Sequence, residues 1–291
     1  MSIFSAIGKL GLGNFENSRI LGEDENEKRR LAKEKEDSKT PEEREQECLF
    51  DRVYKCPICD FSFKTKCVRT GHARLIDKDT DLRPIYEHID VSKYDVIACD
   101  KCGYASLGRF WGKLATRQAR AINSEIASSF TGIDTSEDKG IFSYEDAIVR
   151  YQLALVTTMV KHAKSSERAY TCLKYAWTLR GYRKSLGATG DPANTEKIKS
   201  LYADEQECIQ NAYEGFVAAL SKESFPIVGM DEMTMNYLLG DLARRLGKYE
   251  EALRFVAAVI TSRTANQRIK DKALELKELI RENAKAQAAK S

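Results

Sequence analysis

The chain has no apolar run long enough to cross a bilayer: the longest, near residues 255–260, falls far short of the ~20 residues required. Its first residues, Met1-Ser-Ile-Phe-Ser-Ala-Ile-Gly-Lys, lack the basic start and sustained apolar stretch of a secretory leader, so a cytoplasmic location is expected. Charge of one sign is also lacking. Forty-seven basic residues face 44 acidic ones, and a net +3 gives no strong pull on nucleic acid or anionic membrane. Histidine is scarce, with three in all, and the chain contains no G-x-G-x-x-G, phosphate loop, H-E-x-x-H or G-x-S-x-G. The expectation is therefore a binding protein and not an enzyme.

The chain does have length for two domains and an ordinary balance of charged (31%) and apolar (42%) residues, which excludes wholesale disorder. Residues 1–15 place Ile3, Phe4, Ile7, Leu10 and Leu12 in a helical stripe weakened by glycines, a docking arm at best. Residues 23–47 are almost entirely charged and read as a linker or solvated helix, so residues 1–50 form an expected mobile arm. Residues 51–111 have short strand-like patterns around two cysteine pairs, with Val53-Tyr54 and residues 94–98 leading in as strands able to lie side by side. Phe61, Phe63 and Thr65 alternate after the first pair. Residues 112–142 read as a connecting helix and loop, and residues 143–291 as helices. Start signals fall at Ser143 with Asp146, at Asp191-Pro192, and at Thr264 with Gln267.

An irregular internal repeat occupies the helical half. Ala147, Tyr151, Ala154 and Leu155 share a spacing with Ala212, Phe216, Ala219 and Leu220, and approximately with Ala252, Val256, Val259 and Ile260. The segment LLGDLARRLGKYEEALRFVAAVI, with Leu239-Gly240, Gly247, Tyr249 and Ala252, resembles a tetratricopeptide repeat. Asn236 and Arg244 fall off its packing stripe and are candidates for an exposed inner face, with Asp241 and Arg245 read as solvated neighbours. The expected fold is α+β: a small β-rich zinc ribbon followed by an all-α tetratricopeptide-like domain.

The chemistry lies in Cys56-Pro-Ile-Cys59 and Cys99-Asp-Lys-Cys102. Each C-x-x-C turn aims two sulfurs at one ion, and Asp60 and Gly103 follow where a left-handed backbone is often needed. Four thiolates in a closed tetrahedral shell suit structural Zn2+, with iron as the alternative metal. Cys67 and His72 are near enough to compete as ligands but read as a buried thiol and a surface imidazole. Cys48, Cys172 and Cys208 read as plain thiols, and His88 and His162 as structural or exposed. Between the knuckles, Arg69, Arg74, Arg83, Tyr86 and Tyr94 compose a basic, aromatic stretch. The interleaved Asp77, Asp79, Asp81 and Asp95 favour internal pairing over ligand binding. Phe110 and Trp111 read as packing between the two halves.

The knuckles with their spacer, from CPICDFSFKTKCVRTGHARLIDKDTDLRPIYEHID to CDKCGYA, together with YQLALVTTMVKHAKSSERAYTCLKYAWTLRGYR, resemble the bacterial domain-of-unknown-function family 2225 over roughly residues 1–260. The resemblance implies a bacterial cytoplasmic protein with Cys56, Cys59, Cys99 and Cys102 as metal ligands, and it supplies no function. From the residues, the expected role is a protein-interaction adaptor that binds a protein or peptide through the helical domain. The alternative is a nucleic-acid-associated protein touching phosphate through Arg69, Arg74 and Arg83.

Overall fold

The computed structural model describes residues 10–12, 30, 34, 38–133 and 140–289. The chain separates into two units, residues 1–44 and 45–291. The expected docking arm lies outside the described residues except for residues 10–12, and of the expected charged linker residues 30, 34 and 38–47 are described. At the end of that segment Thr40 and Glu43 exchange side-chain bonds to each other's backbone N–H, and helix α1 (Pro41–Glu47) starts there.

Three separate antiparallel hairpins follow. β1 (Leu49–Lys55) pairs with β2 (Ser62–Val68), β3 (Leu75–Lys78) with β4 (Pro84–Tyr86), and β5 (Val96–Ala98) with β6 (Ala105–Leu107). Phe63 and Thr65 of β2 point inward, as the alternation predicts. The two lead-in strands do not lie side by side. Each pairs with the strand after its own knuckle, because a hairpin closes a short loop at far lower entropy cost than a pairing across the long spacer. Tyr94, expected at the head of β5, instead closes a 3₁₀ turn (Val91–Tyr94) capped by Asp90, whose carboxylate accepts from the Ser92 N–H at 3.1 Å.

The rest of the structure is mostly helical. α2 (Thr116–Ile122) runs on into a π turn (Asn123–Ala127), and α3 (Tyr144–Val160), α4 (Ser165–Ala188), α5 (Thr195–Leu220), α6 (Glu232–Arg245), α7 (Tyr249–Thr261) and α8 (Gln267–Ala288) follow. No described helix is long and apolar enough to cross a membrane. The Ser143–Asp146 box caps α3 as expected, and Asp191 caps the 3₁₀ turn (Pro192–Asn194) that leads into α5. At α8 the cap is Asn266, which accepts from the Ile269 N–H. Thr264 cannot serve, because its hydroxyl and N–H both face the Ser262 hydroxyl.

The repeated positions form the core. Ala147, Tyr151 and Ala154 on α3, Ala212, Phe216 and Ala219 on α5, and Ala252, Val256 and Val259 on α7 are all fully buried. A Cβ on Gly240 of α6 would lie 2.7 Å from Val256 Cγ2, so the close approach of α6 and α7 requires glycine there. Val96, Ala98, Ala105 and Leu107 belong to this same core, and β5 and β6 pack against α3.

Candidate metal centre

Both C-x-x-C turns are hairpin loops. In the first, joining β1 to β2, the Cys56 N–H donates to Phe61 O at 2.9 Å and the Asp60 N–H to Cys56 O at 3.1 Å. In the second, joining β5 to β6, the Cys99 N–H donates to Tyr104 O at 2.8 Å and the Gly103 N–H to Cys99 O at 3.0 Å. The two patterns superpose residue for residue. Asp60 and Gly103 both take positive φ, 56° and 72°, as the sequence predicts. Gly103 carries a second constraint, since a Cβ there would lie 2.7 Å from the Phe130 ring.

The loops bring four sulfurs together. Cys56 Sγ lies 3.5 Å from Cys102 Sγ, Cys59 Sγ lies 3.7 Å from Cys99 Sγ, and all four ligand atoms are within 4.8 Å of one another. Metal–sulfur bonds of ~2.3 Å in a tetrahedron separate the sulfurs by about 3.8 Å, so the geometry is compatible with a single ion at the centre. Cys56, Cys99 and Cys102 are buried and Cys59 half-buried, which leaves the ligand shell closed. The Ile58 N–H points at Cys56 Sγ from 3.4 Å. The thiols cannot all ionise unaided. Hydrogen bonds from Cys102 and Cys56 hold the Cys99 thiol well below its ordinary range, while hydrogen bonds with Cys56 and Cys99 push Cys102 far above its own. A bound cation would remove that conflict by stabilising every thiolate together.

An aromatic shell seals the centre. Trp111 meets the rings of Tyr54, Phe63 and Tyr104 at centroid distances of 5.8, 5.9 and 4.7 Å, and Ile122 and Ile126 belong to the same buried cluster. Trp111 thus belongs to the metal module, whereas Phe110 packs on the helical core, so the expected pairing of the two at the junction holds for Phe110 alone. Arg150 of α3 reaches Asp100 of the second knuckle at 4.0 Å.

The other candidates stay apart from the cluster. Cys67 lies beside the Tyr54 hydroxyl at 3.7 Å, and His72 is exposed, its carbonyl accepting from the Cys48 thiol. Cys48 and Cys208 are buried and Cys172 half-buried; burial pushes the Cys172 thiol up to about 11. His88 and His162 occupy left-handed turns.

Arg69, Arg74 and Arg83 do not form one basic patch. Arg69 Nε donates to Leu49 O, Arg74 lies 3.6 Å from Glu87, and Arg83 is buried against Asp90 at 2.7 Å and Asp79 at 3.6 Å. Asp81 and Asp95 do not pair within the module as expected. Asp81 reaches Arg180 of α4 at 2.6 Å, and Asp95 reaches Lys174 at 2.7 Å. Nor is the charged face of α6 solvated. Asp241 is fully buried and bonded to Arg244 and Arg245, and Arg244 is only 10% exposed, because the Asp79–Arg83 turn covers that face. Sequence reasoning missed Arg180, Glu205 and Asp241 because charges on a helix read as its solvent side. One signal was present in Gly181, in the middle of α4.

Paired knuckles inside a mostly helical protein define a class, a tetrathiolate cluster able to hold a metal ion. More specifically, a sequence model of the family described as "Uncharacterized protein conserved in bacteria (DUF2225)" matches residues 49–280, and the chain belongs to that family. The match begins at β1 and reaches into α8, so it leaves out the arm that the resemblance had included. No curated protein and no solved structure matches the chain.

Proposed function

We propose that the cluster binds one zinc ion in a structural role, and that the helical half, built as tetratricopeptide-like pairs, works as a protein-interaction adaptor in the bacterial cytoplasm. The observation that carries the metal reading is the convergence of four cysteine sulfurs within 4.8 Å of one another, which would complete a tetrahedral shell around one ion. Such a shell leaves no position for a bound water or substrate, so the ion would hold structure and not catalyse. Cys56, Cys59, Cys99 and Cys102 would be its ligands. The adaptor reading draws support from the α6–α7 hairpin, where Gly240 against Val256 and Ala252 reproduces the small-against-large packing of a helical repeat. Stacked pairs of this kind present the first helix of each pair on an inner face, here α4 and α6.

A phosphate-contacting ribbon is the weaker reading, because Arg83 is buried and already paired. Elemental analysis of the purified chain is the first test, with one zinc per chain expected and the Cys99→Ser variant empty. A visible thiolate-to-iron absorbance would replace zinc by iron, and metal-free protein that keeps β1–β2 folded would end the assignment. Steep, salt-dependent binding to DNA or RNA would promote the nucleic-acid reading.

A further inference from the structure

The tip between β3 and β4 is a closed turn in which the Asp79 N–H donates to Arg83 O at 2.8 Å and the Leu82 N–H to Asp79 O at 2.9 Å. Its side chains meet α4 and α6. Asp81 takes two bonds from Arg180, at 2.6 and 3.0 Å, with Arg245 at 3.8 Å. Asp79 faces Arg180 at 3.1 Å and Lys184 at 3.5 Å, and the Thr80 hydroxyl donates to Asp241 and accepts from Arg245, both at 3.0 Å.

Three features distinguish this contact from ordinary core. The arm carrying the tip is outside the core: all four β3 residues are exposed, Leu75 and Ile76 among them. The tip is held chiefly by charge, Leu82 being its one apolar residue and sitting at a strained φ of 67°. Finally, the dock is built for close approach. A Cβ on Gly181 of α4 would lie 2.2 Å from Asp90 Oδ2 and 2.8 Å from Arg83 Nη2.

Without the tip, the ion pairs left among the described residues to the cluster of Arg180, Arg183, Lys184, Arg244 and Arg245 are those with Glu205 and Asp241. A face with that excess of cations needs an anionic occupant. Buried ion pairs add little net stability over apolar packing, yet they demand an opposite charge in the right place. A competitor with carboxylates at the same spacing would make the same bonds, so exchange is close to neutral except for the tether that favours the tip. We propose that this inner face is a docking surface for an extended acidic segment of a partner protein, with two carboxylates separated by one residue, and that the Asp79–Arg83 tip is its internal stand-in. The proposal rests on the adaptor reading and names the chemistry of the partner.

The test uses the full chain, its Gly181→Ala variant, and the Asp79→Asn/Asp81→Asn double variant. Alanine favours the α4 helix while its methyl displaces the Arg83–Asp90 arm, and the double variant discharges the tip. The probe is a fluorescent peptide with the sequence of residues 77–84, and its control carries asparagine in place of the two aspartates equivalent to Asp79 and Asp81. Fluorescence anisotropy should show at least tenfold tighter binding of the acidic peptide to either folded variant than to the wild type, lost with the control peptide and in high salt. No binding to either folded variant, or equal affinity for all three chains, overturns the proposal. The wild type supplies a check that no folding defect can obscure: the amides of Asp79 and Leu82 should exchange at least tenfold faster than those in the middle of α4. Equal protection means the tip does not leave and overturns the proposal too. A partner that still binds the wild-type chain in excess acidic peptide overturns it while leaving the adaptor reading intact.

Discussion

The two knuckles share one turn, one bonding pattern and one positive-φ position, yet their hairpins live in different surroundings. β5 and β6 are buried at every position, and Val96, Ala98, Ala105 and Leu107 belong to the main helical core against α3. β1 is buried at Leu49 alone, and Phe50 and Val53 are exposed on it. The second hairpin would keep its place through apolar burial. The first is tied to the molecule mainly by two sulfurs, the Tyr54–Phe63–Trp111 rings and the Leu49 end. A metal at the centre would therefore be a staple between an anchored hairpin and a loosely anchored one, and its loss should act unequally on the two.

That inequality sets the largest expected effect. Structural zinc contributes on the order of 10 kcal/mol to the fold it organises. Removing it with a chelator, or by Cys99→Ser, should strip amide protection from β1–β2 while β5–β6 and the helices stay protected in hydrogen exchange. Melting of both hairpins together would erase the distinction between them. Next comes Arg180→Met, which leaves Asp81 and Glu205 buried without their shared cation and should cost about 3–5 kcal/mol in chemical denaturation. A loss below ~1 kcal/mol would mean that water reaches those carboxylates.

The knuckles themselves can be compared by exchanging their left-handed residues. Gly103→Ala forces a methyl group into a positive φ and into Phe130, and should cost about 1–3 kcal/mol. Asp60→Gly relieves a similar φ in an open site, where the conformational gain and the added chain entropy nearly cancel, and should change stability by less than ~1 kcal/mol. Equal effects would show that the protein surrounding the second knuckle does not matter.

The smallest effect is on pH. Burial raises the Asp81 carboxyl, but Arg180 and Arg245 more than offset it and hold the group below its ordinary 3.8; Asp79 is lowered in the same way by Arg180 and Lys184. A depressed folded-state pKa contributes stability that is full above 3.8 and lost as pH falls below it. The tip's ion pairs should therefore weaken, and its amide protection fall further, as pH drops below about 4. The Asp79→Asn/Asp81→Asn variant should lack that acid step.

What could be read along the chain was whatever depends on near neighbours. The C-x-x-C pairs, the left-handed positions 60 and 103, the Ser143–Asp146 cap and the alanine-aromatic stripes on α3, α5 and α7 each involve residues within a few positions, so spacing alone specifies them. Asn266 took the cap expected of Thr264 because the Ser262 hydroxyl engages Thr264, and a pattern of spacings does not rank such neighbouring partners.

The sequence by itself determined which four sulfurs meet and which helix faces turn inward, because thiolate spacing and apolar periodicity are local properties. Only the tertiary structure decided that one hairpin is core and the other surface, since identical turns carry no record of what packs on them. It alone also decided that the charges of α4 and α6 face a turn about 100 and 160 residues earlier in the chain. A charged side chain has the same helical pattern whether water or a distant carboxylate satisfies it, and the difference appears only when the chain brings Asp79, Thr80 and Asp81 to Arg180, Asp241 and Arg245.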